Sequence, residues 1–144
     1  MTETTLLQGA DLILTMDDTR RELAGHDILL RDGVIAAIGV ALEVPQGAAV
    51  VQAAGCLVTP GLVNTHHHLY QTLTRAVPGG QDALLFGWLQ SLYPIWARMT
   101  PEQMFTSAQV GLAELALSGC TLCADHLYLY PGAVRLEDTI HAAA

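Results

Sequence analysis

Residues 60–68 of the chain read Pro60-Gly61-Leu62-Val63-Asn64-Thr65-His66-His67-His68. Side chains along a β-strand alternate between its two faces, so an apolar strand here would project His66 and His68 from one face and His67 from the other. Two imidazoles on one face at a strand end can chelate a metal ion. The stretch therefore predicts a strand that ends in a two-histidine metal site, with His67 beside the ligands. A structural histidine cluster is the alternative.

The composition is unusually apolar for the length. The chain has 144 residues, of which 51% are hydrophobic and 14% are charged, whereas about 25% of the residues in a typical soluble domain are charged. This much apolar surface needs a larger core than the chain can enclose. Residues 133–144 also begin a helical pattern without a stop signal. We therefore expect the N-terminal portion of a longer protein, and a small domain with a frayed helical tail is the alternative.

The charge balance and the cysteines argue against several classes of partner. The net charge is −8, from 14 acidic and 6 basic residues, and the absence of a Lys/Arg patch disfavours nucleic-acid polymers. No apolar run reaches the length of about 18 residues that a membrane span needs, and residues 1–3 lack the basic region of a secretory signal. The cysteines, Cys56, Cys120 and Cys123, are odd in number and irregularly spaced. We predict a reduced, cytoplasmic protein that binds neither nucleic acid nor a membrane.

Residues 1–56 have the pattern of an antiparallel β unit. Asp32-Gly33 lies between two apolar runs and supplies the positive φ angles of a tight hairpin turn. Residues 6–16 indicate one or two further strands, and residues 49–52 indicate another. A unit of four or five such strands has open edges and little core of its own. We expect it to pair with strands from elsewhere in the protein.

The clearest helix of the chain begins at Thr100, which is an N-cap residue. Pro101 occupies the first helical position, and Gln103 completes a capping box of the form Thr-x-x-Gln. Apolar residues then recur at three- and four-residue steps, which predicts one buried stripe. An earlier helical stretch, residues 83–96, is interrupted by Pro94.

A second strand follows this helix. Gly119 ends the helix, and residues 120–124 have the pattern of a buried strand that ends at Asp125 and His126. A strand, a long helical connection and another strand make a β-α-β unit, and such units imply a parallel sheet. Both strands then end in polar residues at one edge of the sheet, which is where the active sites of parallel β/α barrels lie.

Cys120 and Cys123 form a single Cys-x-x-Cys pair. A structural zinc site needs two such pairs, and a redox pair needs a helix N-terminus. A spacing of three residues in a strand turns the two side chains to opposite faces, so we expect two buried, inert cysteines. The zinc deaminases that act on cytidine use His-x-Glu and a later Pro-Cys-x-x-Cys, and this chain has neither.

The predicted hairpin, residues 27–39, followed by the stretch 60–68, resembles the opening of the amidohydrolase superfamily. Within it the chain is similar to the cytosine deaminase, guanine deaminase and chlorohydrolase group. The tract 66–71, the Trp88 region and residues 123–126 most resemble 8-oxoguanine deaminases. The resemblance covers nearly the whole chain.

This resemblance implies an α/β fold. Residues 1–56 would be an N-terminal β-sandwich portion, and residues 57–144 the first β-α-β part of a (β/α)8 TIM barrel. The implied activity is metal-dependent hydrolytic deamination of a cyclic amidine in a purine-type ring, most of all 8-oxoguanine, to urate and ammonia. Related aminohydrolases of guanine, cytosine, S-adenosylhomocysteine or s-triazines remain alternatives. A non-catalytic barrel scaffold is the alternative from another class.

The resemblance also implies roles for individual residues. His66 and His68 would bind one divalent metal, with zinc favoured over iron, and Gln71, Trp88 and His126 would bind a small purine-like substrate. A bound divalent metal lowers the pKa of water toward about 7. The other metal ligands and the catalytic general acid or base are expected beyond the last residue of this chain. A homo-oligomer is among the assemblies that the resemblance allows.

Overall fold

The computed structural model describes residues 3–144, so Met1 and Thr2 of the predicted N-terminal unit lie outside the described residues. The chain is α/β and divides into two compact units between Pro60 and Gly61. The first unit contains the strands β1 (Thr4–Leu14), β2 (Glu22–Arg31), β3 (Val34–Gly39), β4 (Ala49–Gln52) and β5 (Leu57–Val58). The second contains β6 (Leu62–His67), α1 (Leu85–Trp96), α2 (Pro101–Leu117), β7 (Cys120–Asp125) and α3 (Leu136–His141), with short 3-10 helices at Leu69–Thr74 and Pro78–Gly80.

The first unit is a mixed five-stranded sheet. Its strand order is β3-β2-β1-β4, and β5 also pairs with β1. The pairs β1–β2 and β2–β3 are antiparallel, whereas β4 and β5 run parallel to β1. The prediction of a wholly antiparallel unit was therefore wrong for the last two strands. Residues 40–48 return the chain to the end of the sheet at which β1 begins, so β4 runs in the direction of β1.

Two backbone features shape this sheet. The hairpin turn predicted at Asp32-Gly33 is confirmed, with φ angles of 50° and 77°. In β1, Gly9 has a φ of 72° and lies in a β-bulge. The buried carboxylate of Asp27 accepts hydrogen bonds from the N–H groups of Gly9 (2.7 Å) and Leu42 (2.9 Å). This carboxylate therefore holds the bulge and the segment after β3 together.

The second unit contains a parallel pair of strands. β6 and β7 pair in parallel, which confirms the predicted β-α-β unit. The prediction that β7 is buried was wrong, because Leu122 is 64% exposed, and Leu62 and Val63 of β6 are 59% and 58% exposed. Parallel strands are buried only where both faces of their sheet are covered, and a two-stranded sheet leaves much of its apolar surface open.

The core of the second unit is rich in aromatic and sulfur-containing side chains. Tyr70, Trp96 and Met104 are fully buried and belong to one cluster. The predicted interruption at Pro94 was wrong, because α1 continues through it to Trp96. Proline removes one backbone hydrogen bond, but so near the end of the helix the next turn still closes, with Ala97 N–H donating to the Tyr93 carbonyl at 2.8 Å. Across residues 3–144, no helix combines the length and apolar character needed to cross a bilayer.

Helix α2 begins with the predicted capping box. The Thr100 hydroxyl accepts from Gln103 N–H at 3.3 Å, and the Gln103 side-chain oxygen accepts from Thr100 N–H at 3.0 Å. Both contacts satisfy donors that the first turn of a helix leaves without partners. We expect Thr100→Ala to lower the free energy of unfolding by about 1 kcal/mol. Denaturant unfolding of the intact protein measures the loss.

Thr100→Ser is the matched control, because serine keeps the hydroxyl that accepts from Gln103. Hydrogen exchange of the first-turn amides should accelerate in Thr100→Ala and remain near the wild-type rate in Thr100→Ser. Equal unfolding curves for the two variants would show that the capping box contributes nothing.

Candidate metal centre

Hydrogen bonds hold the C-terminal ends of β6 and β7 together. His126 N–H donates to the His67 carbonyl at 2.7 Å. A carboxylate oxygen of Asp125 accepts from Leu69 N–H at 2.9 Å. His68 Nδ1–H donates to the His126 carbonyl at 2.8 Å. The residues that follow the two strands are therefore fixed beside one another at one edge of the sheet.

His66 and His68 converge, as the two-residue period of a strand predicts. Their Nε2 atoms lie 3.1 Å apart, and their rings are close to perpendicular at 77°. Two nitrogens bound to one tetrahedral zinc at about 2.0–2.1 Å would lie about 3.3 Å from each other. Because His68 uses its Nδ1–H on a carbonyl, its neutral ring keeps a lone pair on Nε2. The pair fits two positions in the coordination shell of a divalent cation.

His126, the third imidazole near the pair, does not complete a larger metal site. Among residues 3–144, no group of three or more His, Cys, Asp or Glu side chains is arranged to hold a metal ion. The His126 ring stacks on the His66 ring, with centroids 4.3 Å apart and planes 4° apart. Its Nε2–H donates to the Thr65 carbonyl at 3.3 Å. Further ligands of a bound cation would be water or groups outside the described residues.

His67 occupies the other face of β6. Its Nδ1 atom is buried and has no hydrogen-bond partner within residues 3–144. On that side, the Arg75 guanidinium makes a bidentate pair with the Glu114 carboxylate, with both distances 2.7 Å. The hydrogen bonds from Arg75 hold the pKa of Glu114 below its ordinary range, and the nearby His67 ring adds a smaller effect in the same direction.

A cleft of about 270 Å³ runs past the end of β6. Its lining residues are His66, His67, His68, Gln71, Thr72 and Arg75. The structure thus brings Gln71 to the histidine pair. Trp88 and His126 do not line this cleft, and the Trp88 ring packs edge-on against Trp96 with centroids 5.2 Å apart.

The side chain of Gln71 is held by a tyrosine that the sequence analysis did not single out. Gln71 Nε2–H donates to the Tyr70 hydroxyl at 3.0 Å, and the Tyr70 side chain is fully buried. Burial raises the pKa of Tyr70, and the neighbouring Tyr128 adds to the increase, so the phenol stays protonated. Tyr128 packs edge-on against both Tyr70 (5.6 Å) and His68 (5.3 Å). The Tyr128 ring therefore contacts His68 and also Tyr70, the residue that holds Gln71.

Arg75 and Ser107 are two further residues near the site that no sequence motif indicated. Ser107 is buried, donates its hydroxyl to the Leu69 carbonyl at 2.8 Å and accepts from Leu73 N–H at 3.3 Å. It therefore fixes the 3-10 helix after the histidines to α2. The only sequence signal for Arg75 was that a basic residue, rare in this chain, closely follows the histidines.

The cysteines differ from the prediction. Cys56 is exposed, and Cys120 and Cys123 are free thiols of intermediate exposure, not the buried residues that we expected. Cys120 and Cys123 are partly exposed because β7 is incompletely covered. Partial burial still raises the pKa of the Cys123 thiol, with smaller contributions from Cys120 and Asp125.

Comparisons with known proteins find a matching family and similar enzymes. The profile described as "Amidohydrolase family" matches residues 57–143. The 8-oxoguanine deaminase of Pseudomonas aeruginosa is 58% identical over 88 residues, which are 61% of this chain and 19% of that protein. An isoxanthopterin deaminase from an unknown prokaryotic organism is 42% identical over 135 residues, covering 89% of this chain and 28% of that protein.

Solved structures include a similar fold with a metal. The atrazine chlorohydrolase TrzN from Arthrobacter aurescens TC1, complexed with zinc, superposes with a TM-score of 0.87 at 31% identity. The match covers 96% of this chain and 33% of that protein. The chain thus spans between 19% and 33% of the length of these three proteins.

The exposure of Cys56 and the raised pKa of Cys123 predict an order of alkylation. At pH 8, iodoacetamide should label the exposed Cys56 faster than Cys123, because the raised pKa of Cys123 leaves less of the reactive thiolate. The difference should narrow as the pH rises through the pKa of Cys123. Mass spectrometry of timed digests measures each site, and equal initial rates at pH 8 would contradict the prediction.

The geometry of the pair predicts which histidines matter for metal affinity. We expect His66→Ala to weaken zinc binding by more than the tenfold to about hundredfold loss that removal of an outer partner causes. His67→Gln is the matched control, because His67 lies on the opposite face of β6 and should leave the affinity unchanged. Competition of the intact, metal-stripped protein with a chromophoric chelator gives the affinities. Equal losses in both variants would refute the pairing.

Proposed function

Since the chain belongs to the amidohydrolase family, we propose that the intact protein is a metal-dependent hydrolytic deaminase that acts on a cyclic amidine in a purine-type ring. The observation that carries the proposal is the convergence of His66 and His68 beside Gln71 at the end of a parallel strand. The 58% identity to an 8-oxoguanine deaminase favours 8-oxoguanine as the substrate, with urate and ammonia as products.

In this proposal His66 and His68 hold one divalent cation through their Nε2 atoms. The cation would supply Lewis-acid chemistry and activate water for attack on the ring carbon that carries the amino group. The zinc in the chlorohydrolase structure supports zinc, and iron is the alternative. The proposal places the remaining ligands and the carboxyl group that transfers protons outside this chain.

Gln71 is proposed to bind the edge of the substrate ring. A glutamine amide has two N–H donors and one carbonyl acceptor. One donor is used on the Tyr70 hydroxyl, which leaves one N–H and the carbonyl oxygen for the ring. A purine edge presents donors and acceptors side by side, so this remaining pair of groups suits it. Trp88 and His126 stay predictions as further substrate contacts.

The proposed fold follows from the same family. The unit from β6 to β7 would be the first part of a (β/α)8 barrel, and the sheet of the first unit would belong to a β-sandwich, with the domain boundary near residues 56 and 57. The exposed apolar side chains of Leu62 and Leu122 support this proposal, because they need a covering layer. A cytoplasmic location, a small-molecule substrate and a homo-oligomer are parts of the same proposal.

A second substrate has specific support. The isoxanthopterin deaminase covers more of this chain, at 42% identity over 135 residues, than the 8-oxoguanine deaminase does. Isoxanthopterin, like 8-oxoguanine, carries an amino group on a ring carbon that lies between two nitrogens, so the same site would accommodate either ring. Guanine, cytosine, S-adenosylhomocysteine and s-triazines complete the set to compare, and a non-catalytic scaffold is the alternative without chemistry.

The test is ammonia release by the intact protein. We expect 8-oxoguanine to give the highest kcat/KM of the set, and His66→Ala to reduce release to the background rate because one metal ligand is lost. His141→Ala is the control, since His141 is exposed at the end of α3. Highest turnover of isoxanthopterin would correct the substrate. No release from any of these compounds by the zinc-loaded protein would refute the deaminase proposal.

A further inference from the structure

We infer that His126 orients both imidazoles of the candidate metal pair, through its backbone carbonyl for His68 and through its ring for His66. This inference rests on the proposed function, because it takes His66 and His68 as metal ligands. It gives His126 a role that the expected substrate contact does not include.

The backbone of His126 acts on His68. Its carbonyl accepts from His68 Nδ1–H at 2.8 Å, which fixes the plane of the His68 ring and leaves the Nε2 lone pair for a metal. Since the acceptor is a main-chain atom, any residue at position 126 can supply it. Substitution of the side chain therefore tests the ring alone.

The ring of His126 acts on His66. Metal-binding histidines usually donate their second ring N–H to an outer partner that fixes their orientation. Within residues 3–144, the His66 ring nitrogens make a single hydrogen-bond contact, the 3.1 Å approach of Nε2 to His68. Instead, the face of the His66 ring lies against the face of His126, with centroids 4.3 Å apart and planes 4° apart. Stacking thus takes the place of the missing outer hydrogen bond.

His126 is itself held by two hydrogen bonds, one from its ring and one from its main chain. Its Nε2–H donates to the Thr65 carbonyl at 3.3 Å, and its main-chain N–H donates to the His67 carbonyl at 2.7 Å. Both acceptors belong to β6, immediately before and after His66 in the sequence. The two hydrogen bonds of His126 therefore lie on either side of His66, and movement of His66 away from the pair would have to separate the two stacked rings.

Two substitutions at position 126 distinguish the effect of a flat ring from the effect of the ring nitrogens. A phenylalanine at position 126 keeps a flat ring against His66 and loses only the hydrogen bond to Thr65. An alanine removes the stack altogether. A merely structural loss would affect both variants through stability, whereas the orienting role predicts that metal affinity follows the presence of the ring.

The experiment compares zinc affinity in the intact wild-type protein, His126→Ala and His126→Phe. We expect His126→Ala to weaken zinc binding by about 10–100-fold, as loss of an outer partner does, and His126→Phe to stay within about tenfold of the wild type and tighter than His126→Ala. Competition with a chromophoric chelator gives the affinities. The visible spectrum of the cobalt-substituted proteins reports the ligand geometry independently, and it should change in His126→Ala only.

Each other outcome overturns the inference in a recognisable way. Unchanged affinity in His126→Ala, with or without a raised KM, removes the orienting role. Equal and severe losses in both variants, with wild-type unfolding midpoints, would mean that a nitrogen of His126 is itself a ligand. A wild-type protein that binds no zinc or cobalt overturns the metal pair and hence the proposed function, and in that case the variants do not differ.

Discussion

The candidate site depends on the register of β6 against β7. In that register His67 lies opposite Asp125, and Asn64 lies opposite Cys123. Because successive side chains point to opposite faces, a slip of one residue would exchange His67 for the His66–His68 pair on the site face. The hydrogen bond from His126 N–H to the His67 carbonyl continues the pairing past the end of β7 and opposes such a slip. The chemistry of the histidines is thus set by backbone pairing before any side chain contributes.

Helix α2 also holds the segment that follows β6 in place. Ser107 of α2 accepts from and donates to the backbone of the 3-10 helix that carries Gln71. The bidentate pair of Arg75 with Glu114 joins the end of that helix to α2 a second time. An exposed ion pair contributes little to the free energy of folding, so the buried serine is the more important of the two. Gln71 is therefore carried by a segment whose backbone is fixed at several points.

Much of this could be predicted from the sequence because the signals were local. The Asp32-Gly33 hairpin and the Thr100 capping box are each decided by a few adjacent residues, and the structure confirms both. The convergence of His66 and His68 needed only the period of a strand. Residues far apart in the sequence gave no such signal. The parallel pairing of β4 with β1 depends on where residues 40–48 return the chain, and no short pattern records that.

The two errors about burial share a physical cause, which is that the burial of a strand depends on the layers packed against it and not on its own sequence. The apolar run at residues 120–124 has the composition of a buried strand, yet Leu122 is 64% exposed because a two-stranded sheet cannot cover it. The partial exposure of Cys120 and Cys123 has the same origin.

The aromatic contacts around the site also join residues that are far apart in the sequence, so no local pattern predicts them. Tyr128 follows β7 in the sequence, whereas Tyr70 follows β6, and the two rings meet edge to face at 5.6 Å. Tyr128 also packs against His68, and Tyr70 holds Gln71. A shift of Tyr128 would therefore disturb a candidate metal ligand and a candidate substrate contact together. The orientation of the candidate metal ligand His68 is therefore coupled to that of Gln71 through the packing of Tyr128 against His68 and Tyr70.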